Sequence, residues 1–337
     1  MIPLILWRQI QKDNFNQWKP LVEFLELDEE NAREVLQKSA FPLNLPRRLA
    51  DKIEKNNLDD PILRQFVPLR DEMAESVGFC ADPVGDGSAQ KTGKLLHKYV
   101  GRALLLCTSS CAMHCRFCFR QKFPYETQQK LFASELEAIS QDCTLEEIIL
   151  SGGDPLSLSD QVLGALLQDL SSITHVQRIR FHTRFPIGIP ERIDESFLNI
   201  LASAKAQIVF IVHVNHPREL DEEVVAALKK IQRLGIPVLN QAVLLKGVND
   251  NLLTLKTLFE TLVNIGVMPY YLHQLDQVQG SAHFKVDEER GLSLIEQLRT
   301  CLPGYAIPQY VWEIGGEPSK TVITRQNLQE TIPILKY

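Results

Sequence analysis

The chain has 337 residues and seven cysteines, is 45% hydrophobic and 23% charged, and carries a formal net charge of -6 at pH 7. Globular proteins have this composition, and no apolar run approaches the roughly 18 residues that a membrane span requires. A negative net charge gives no basic field for a phosphate backbone, so nucleic acid is not expected as a partner. The few, unevenly placed cysteines and the lack of a secretory signal predict a reducing, cytoplasmic location.

The first part of the chain differs in pattern from the rest. Residues 1–95 lack the alternation of strands and space their apolar side chains at helical intervals, which predicts a helical N-terminal region. The segment 81–88 is rich in turn-forming residues and is predicted to be a linker. Residues 96–325 are predicted to form a barrel domain, and residues 326–337 a C-terminal tail.

Beyond this region, short apolar runs alternate with helical stretches. Strands are predicted at 103–107, 147–150, 177–182, 207–213, 237–243, 268–273 and 308–313. The predicted helix 218–234 has the clearest start and stop signals, because Pro217 precedes it and Gly235 follows it. Repeated βα units of this length predict a parallel sheet with helical crossovers, either a doubly wound sheet or a complete or partial barrel.

Polar residues gather where the predicted strands end. The clusters are Cys111 after the first strand, then Gly152–Asp154, His182–Arg184, His213–His216, Asn240–Gln241 and His273–Asp276. Barrels build active sites from many strand ends, whereas an open sheet concentrates its ligand at one switch point. We therefore predict the α/β class, with a partial barrel of the (βα)6 type.

Three cysteines lie close together in the sequence. Cys111, Cys115 and Cys118 are separated by three and then two residues. A structural zinc site needs four protein ligands, whereas a four-iron cluster held by three cysteines keeps one iron open for a small molecule. The alternatives are zinc with a remote fourth ligand such as His114, or three buried thiols. The remaining cysteines are expected to be ordinary buried residues: Cys80, Cys107, Cys143 and Cys301.

Two glycine-rich turns carry further candidate residues. Gly152, Gly153 and Asp154 directly follow a predicted strand, where backbone can approach a ligand closely, although such a turn also simply connects a strand to a helix. The second turn leads to Lys320, and a lysine at a barrel mouth can form a Schiff base with an aldehyde cofactor, usually pyridoxal phosphate (PLP). The phosphate group of this cofactor would then need residues that bind it, and the candidates are Lys98, Tyr99 and Arg102. The alternatives are a solvated lysine and a solvated basic turn.

The cysteine triplet, the Gly-Gly-Asp-Pro turn and the late Gly-Gly-Glu-Pro-Ser-Lys sequence together resemble the lysine 2,3-aminomutase family. These radical S-adenosylmethionine (SAM) enzymes combine SAM, a 4Fe-4S cluster and PLP. The resemblance extends from about His97 to Lys320. Within the family, the sequences that follow Cys118 and those at 275–284 and 314–320 are most similar to the branch that makes (R)-β-lysine for elongation factor P.

The resemblance implies a role for particular residues. The three cysteines would bind the cluster, and Lys320 would bind PLP. Arg120 would pair with the substrate carboxylate, while Asp276 and Glu313 would receive the distal ammonium of lysine. Further contacts to the cofactors are expected from Lys98, Tyr99, Arg102, Gly152, Gly153, Asp154, His213 and Gln241. Lys98 and Glu313 replace the arginine and aspartate of clostridial-type enzymes, and each keeps its charge.

The implied function is the conversion of L-α-lysine to β-lysine. It implies a functional link to elongation factor P and its modifying ligase, and an external electron donor. The alternatives are a catabolic lysine or glutamate 2,3-aminomutase, or a non-catalytic iron-sulfur or zinc-binding module. Lys320 distinguishes the last alternative, since a binding module has no need of a Schiff-base lysine.

Overall fold

The fold is described from a computed structural model for residues 6–125 and 131–331, with side chains as far as residue 328. Its strands are β1 Leu95–Tyr99, β2 Arg102–Thr108, β3 Glu147–Gly152, β4 Arg178–Thr183, β5 Gln207–His213, β6 Val238–Val243, β7 Met268–His273, β8 Gln309–Trp312 and β9 Thr321–Val322. Its helices are α1 Trp7–Lys12, α2 Trp18–Phe24, α3 Glu29–Glu34, α4 Arg47–Ala50, α5 Pro61–Phe66, α6 Ala133–Gln141, α7 Asp160–Ser172, α8 Phe185–Gly188, α9 Glu195–Ser203, α10 Glu222–Arg233, α11 Leu252–Asn264, α12 Glu288–Cys301 and α13 Arg325–Thr331.

The described strands form one sheet in chain order. Strands β2 to β8 are parallel, and the helices α6 to α12 connect them. Strands β1 and β9 pair antiparallel with β2 and β8 at the two edges. The sheet does not close on itself, so the predicted partial barrel is confirmed.

The seven predicted strands are present, each within two residues of its predicted ends. The two antiparallel edge strands were not predicted, because β9 is only two residues long and β1 lies in a segment without a clear apolar run. The predicted helix 218–234 begins later than expected. Asp221 caps it by accepting a hydrogen bond from Val224 N at 2.9 Å, so α10 begins at Glu222.

The prediction of a linker at 81–88 is wrong. Val84 and Asp86 are almost fully buried. The Asp82 carboxylate accepts hydrogen bonds from the backbone nitrogens of Asp86 and Gly87, each at 2.9 Å. Its turn-forming residues therefore shape a packed loop, because a side chain that binds its own backbone fixes the turn.

The N-terminal helices and the barrel share one hydrophobic core. Leu49 and Phe66 come from the N-terminal region, and Phe181 and Phe210 come from β4 and β5. The rings of Phe181 and Phe210 stack with their centroids 4.8 Å apart. Burial of this shared apolar surface therefore stabilises both parts together.

Two other predictions concern the end of the chain and the remaining cysteines. Part of the predicted tail 326–337 lies in the helix α13, and residues 332–337 lie outside the described residues. Cys107 is buried as expected, but Cys80, Cys143 and Cys301 are exposed, so that prediction is wrong for these three. Within residues 6–125 and 131–331, no helix combines the length and hydropathy of a membrane span.

A buried ion pair fastens the N-terminal region to the barrel. Arg184 follows β4, and its Nη2 donates to Glu219 Oε2 at 2.7 Å and to Gln65 Oε1 at 2.6 Å. Glu219 and Gln65 are fully buried. The other oxygen of Glu219 accepts from the backbone nitrogens of Asn215 and His216, at 3.1 and 2.9 Å. This Arg184–Glu219–Gln65 network therefore joins α5, the end of β4 and the loop after β5.

We predict that Glu219→Ala lowers the free energy of unfolding by about 3–5 kcal/mol, because it leaves the Arg184 guanidinium buried without its carboxylate. Urea denaturation of the cluster-free protein measures this loss. Glu223→Ala is the control, since Glu223 also pairs with an arginine but its side chain is 65% exposed, and we expect a loss below about 1 kcal/mol. Equal, small losses in both variants would contradict the prediction.

Candidate active site

A cavity of about 850 Å³ extends through the barrel, from Arg102, Glu147 and Arg178 at the starts of β2, β3 and β4 to the carboxyl ends of the parallel strands. Every site residue predicted from the sequence lies on its wall. The cysteine loop and the glycine turn of β3 form one part of the wall, and Lys320 and the acids form another. The predicted residues that line it are Lys98, Tyr99, Arg102, Cys111, Cys115, Cys118, Arg120, Gly152, Gly153, Asp154, His213, Gln241, Asp276, Glu313 and Lys320. Their roles remain predictions.

The cysteine loop is anchored from outside the barrel. Arg116, between the second and third cysteines, is 1% exposed. Its Nε and Nη2 donate to the two carboxylate oxygens of Glu72 at 2.7 and 2.6 Å, and its backbone nitrogen donates to Gln65 O at 2.9 Å. Arg184 Nη1 lies 3.0 Å from Cys115 Sγ. The loop is thus held by two arginines, one of which contacts a cysteine directly.

The cysteine side chains suit an iron-sulfur cluster. Burial raises the pKa of the Cys118 thiol to about 11 and that of Cys111 well above its ordinary value. Such thiols keep their protons at neutral pH until a metal displaces them. In the described part of the chain, no three His, Cys, Asp or Glu side chains are arranged to hold a single metal ion. The cysteines of a four-iron cluster each bind a different iron, so they need no such common centre.

His114, considered above as a zinc ligand, is engaged elsewhere. Its ring stacks on Phe41 with the centroids 4.4 Å apart, and its Nδ1 lies 2.8 Å from the carbonyl oxygen of Pro42. Burial lowers the pKa of His114, so the neutral ring is favoured in this position. These contacts give His114 a packing role beside the cysteine loop.

The glycine turn brings β3 against the cysteine loop. Gly152 has a φ of +113°, and a Cβ there would lie 2.7 Å from Thr108 O. A Cβ on Gly153 would lie 2.3 Å from Ser110 O. The Gly153 nitrogen donates to Thr108 O at 2.6 Å. Only glycine allows this approach, which fits a turn that presents backbone to a ligand.

Asp154 is occupied by the protein itself. Its carboxylate accepts hydrogen bonds from Thr183 Oγ1 at 2.8 Å and from the backbone nitrogens of Arg184 and Phe185 at 2.8 and 3.0 Å. Burial raises its pKa to about 6, although these donors oppose the rise. These bonds join the ends of β3 and β4. Asp154 also accepts from Leu156 N at 3.0 Å at the start of the next helical turn, as in the strand-to-helix alternative considered from the sequence.

Lys320 lies in a group of alternating charges. Its ammonium donates to Glu313 Oε2, and the Tyr99 hydroxyl donates to Glu313 Oε1 at 2.6 Å. Lys98 Nζ lies 3.6 Å from Glu313. Burial alone would raise the pKa of Glu313, but Lys320, Tyr99 and Lys98 hold it below its ordinary value. Burial raises the pKa of Asp276 to about 7.

The cavity also contains neutral polar side chains. Burial lowers the pKa of His213 to about 3 and places those of His182 and His273 well below the ordinary value, with cations nearby adding to the effect. Within the described ranges, the Nε2 atoms of these three rings and Gln241 Oε1 have no hydrogen-bond partner. Since buried polar atoms are normally satisfied, these atoms fit a bound polar ligand.

The sequence did not identify two residues that shape this site. Asp86 lines the cavity and binds Arg120, but it lies in the segment predicted to be a linker. Arg184 was noted only as part of a polar cluster, and its contact with Cys115 was not expected. A lone acid in a turn-rich segment carries no signal in one sequence, because its partners are distant along the chain.

Comparisons with known proteins agree with this architecture. Residues 105–257 match the family model described as the radical SAM superfamily. L-lysine 2,3-aminomutase of Escherichia coli (strain K12) is 45% identical over 296 residues, which are 87% of this chain and 86% of that protein. The chain belongs to the lysine 2,3-aminomutase family. The protein of the same name from Haemophilus influenzae is 38% identical over 320 residues, 94% of this chain and 95% of that protein.

The similarity to solved structures is lower than the similarity to these two sequences. A radical SAM methyltransferase from Sphaerobacter thermophilus aligns with a TM-score of 0.49 at 19% identity, over 65% of this chain and 68% of that chain. At this TM-score the likeness adds nothing to the family assignment. Membership of the family makes the protein an enzyme, an isomerase, and the radical SAM superfamily implies a 4Fe-4S cluster and SAM.

We predict that Gly153→Ala separates the glycine turn from the cysteine loop, because the added methyl group meets a backbone oxygen that cannot move alone. The expected results are a loss of about 1–3 kcal/mol in the free energy of unfolding and a lower iron content after reconstitution.

Gly164→Ala is the matched control. Gly164 lies in α7, and a Cβ there would meet Ile200 at 3.7 Å, an ordinary contact. We expect this variant to keep its iron and to gain up to about 1 kcal/mol. Iron retention by Gly153→Ala equal to that of the control would show that the close approach does not matter.

Proposed function

We propose that the protein converts L-α-lysine to β-lysine, in the R form, and that it requires PLP together with SAM and the cluster. The observation that supports this proposal is a single cavity that contains the cysteine triplet on one part of its wall and Lys320 on another. Relatives named L-lysine 2,3-aminomutase support the reaction and its substrate, and lysine 2,3-aminomutases use PLP.

The chemistry explains why such a cavity would need both groups. Moving an amine to a neighbouring carbon requires that an unactivated C–H bond be broken, which protein acids and bases cannot do. When bound, the cluster and SAM supply a hydrogen-abstracting radical, and PLP supplies a carbonyl that holds the migrating amine. The chain's own residues would bind these groups, orient the substrate and exclude water from the site.

The cofactors would be held by separate elements of the barrel. The three cysteines after β2 would bind the cluster, and the backbone of Gly152 and Gly153 would face SAM. Lys320, after β8, would bind PLP, and Lys98 and Arg102 would contact its phosphate as cations of β1 and β2. Because His213 Nε2 and Gln241 Oε1 have no hydrogen-bond partner among the described residues, these neutral side chains would satisfy polar atoms of a bound cofactor.

The substrate would be recognised by charge at both ends. Arg120 would pair with the carboxylate of lysine, while Asp276 and Glu313 would receive its side-chain ammonium. Glu313 already binds an ammonium, that of Lys320, which shows that its surroundings suit such a group. Two acids would repel the carboxylate of a glutamate side chain, so lysine would be the better substrate.

We further propose that the β-lysine is attached to elongation factor P by its modifying ligase, in the cytoplasm. The support is the resemblance of segments 275–284 and 314–320, and of the residues after Cys118, to the branch of the family with that role. An external electron donor would reduce the cluster, and a reducing compartment suits its cysteine ligands.

The test is anaerobic reconstitution of the full chain with iron, sulfide and PLP, followed by a reductant, SAM and L-lysine. Chiral chromatography should detect (R)-β-lysine, and addition of elongation factor P with its ligase should transfer that product to the protein. Formation of the S form would contradict the proposed handedness. Preference for glutamate would contradict the lysine assignment, and a lack of transfer would contradict the link to elongation factor P.

We predict that Lys320→Ala loses the characteristic absorbance of lysine-bound PLP and loses activity, because it removes the proposed attachment amine. The iron content should not change, since the cysteines belong to another loop. Lys205→Ala, at an exposed lysine, is the control and should behave as the wild type. Borohydride reduction of the PLP-loaded wild type should label the peptide that contains Lys320, and label on another peptide would disprove the site.

We predict that lysine binding strengthens about tenfold between pH 6 and pH 8. The pKa of Asp276 is raised to about 7 by burial, with Glu313 and Asp86 adding to the rise and Lys320 and Lys98 opposing it. Below pH 7 the acid is therefore mostly protonated and cannot pair with an ammonium, whereas above pH 7 it is charged. Measurement of the KM for lysine across this range tests the prediction.

Asp276→Asn should remove this pH dependence and weaken lysine use by about ten- to a hundredfold, as expected for one charge-assisted hydrogen bond. SAM cleavage and PLP content should remain. A lysine analogue without the side-chain ammonium, 2-aminohexanoate, serves as a control because its binding should not depend on Asp276. An unchanged pH profile for lysine in the variant would contradict the proposed role.

A further inference from the structure

Asp86 is a buried acid that reaches into the cavity from outside the barrel strands. The residue is 1% exposed and lies on the cavity wall. Its Oδ2 accepts a hydrogen bond from Arg120 Nε at 2.6 Å, and its Oδ1 lies 2.6 Å from Lys98 Nζ. One carboxylate therefore contacts two cations that come from different elements of the chain.

The loop that carries Asp86 is fixed by its own hydrogen bonds. The Asp82 carboxylate accepts from the backbone nitrogens of Asp86 and Gly87, each at 2.9 Å. The carbonyl oxygen of Val84 accepts from Lys98 Nζ at 2.8 Å. Both the position of the acid and that of the lysine are thus set by this loop.

The contact also fixes the direction of the arginine. Asp86 engages the Nε edge of Arg120, and Arg120 Nη1 donates to Ser151 Oγ at 3.2 Å. A guanidinium is planar and has five N–H groups in a rigid fork, so holding it at these two points sets where its remaining donors face. Arg120 lines the cavity, into which a carboxylate could be received.

The negative charge of Asp86 would not by itself help the site to bind anions. Lys98 and Arg120 are proposed to bind a phosphate and a carboxylate, and a negative group beside them weakens the attraction for both anions. Burial would by itself raise the pKa of Asp86, yet Arg120 and Lys98 hold it below its ordinary value, so the acid is charged at neutral pH. Its contribution must therefore come from geometry.

We propose that Asp86 is a positioning residue that holds Lys98 toward the cofactor phosphate and Arg120 toward the substrate carboxylate, so that the two anions bind at a fixed separation. The inference rests on the proposed function, because the cofactor phosphate and the substrate carboxylate are the ligands proposed there. It adds a residue to that site and gives the loop 82–88 a role in substrate recognition.

The test is Asp86→Asn, which keeps the shape of the side chain but removes its charge. The neutral amide oxygen can accept from one cation only without the charge that strengthened the contact, and the NH2 group turns a donor toward the other cation, so both cations lose the contact that positions them. We expect PLP to bind at least tenfold more weakly to the cluster-free protein in a fluorescence titration. Lysine should bind at least tenfold more weakly to the PLP-loaded, cluster-free protein in calorimetry, and the KM should rise more than kcat falls.

Asp51→Asn is the matched control, since it removes the same charge from an exposed side chain in the N-terminal region. It should leave both affinities unchanged. If Asp86 acted only through its charge, Asp86→Asn would bind both anions more tightly. Tighter binding, unchanged binding or weakening of only one ligand would each overturn the proposal.

The proposal can be tested even where one variant or one assay fails. If Asp86→Asn does not fold, as judged by its thermal unfolding, Asp86→Glu keeps the charge and lengthens the side chain. It should then weaken both ligands, because the oxygens no longer lie between the two cations. If the wild type makes no β-lysine, the proposed function fails, whereas the two binding measurements still decide the role of Asp86.

Discussion

The buried pair of Arg184 and Glu219 connects the parts of this enzyme that must stay in register. Its members follow different strands, and Gln65 adds the N-terminal region to the same network. Arg184 also contacts Cys115, so the cysteine loop is attached to the network that holds the protein together. A buried charge without a partner is very unfavourable, and the pair therefore tolerates little relative movement of these elements. The position of the cysteine loop follows from this constraint.

The same principle organises the cavity. Acids and bases there are paired across elements, as with Lys98 and Asp86 or Lys320 and Glu313, while the buried histidines stay neutral. Paired charges lower the cost of a polar cavity that is largely removed from water. A substrate with a charge at each end would replace one member of such an ion pair. Substrate selectivity would then depend on the ion pairs that the enzyme forms without substrate.

The sequence predicted the parallel strands and their polar ends because both follow from local patterns. Parallel strands of one sheet bring their carboxyl ends together, so residues as distant as Cys111 and Asp276 could be assigned to one site. The contacts of Asp86, Gln65 and Glu219 could not be predicted, since each depends on partners far away in the chain. The hydrogen bonds of Asp154 to the end of β4 were not predicted either, since the structural alternative considered from the sequence was a strand-to-helix turn.

The open sheet has a further consequence. Its edge strand β1 and the β8–β9 pair at the other edge approach each other at the site, where Tyr99 and Lys98 meet Glu313. This seam is closed by side chains, whereas the pairs of neighbouring strands elsewhere in the wall are joined by backbone hydrogen bonds. Each such side-chain hydrogen bond to a charged group contributes about 1.5–3 kcal/mol. The closure of the wall at this seam therefore depends on a few side chains, so that substitutions at Tyr99 or Glu313 would weaken the wall there while the backbone ladder of the sheet stays intact.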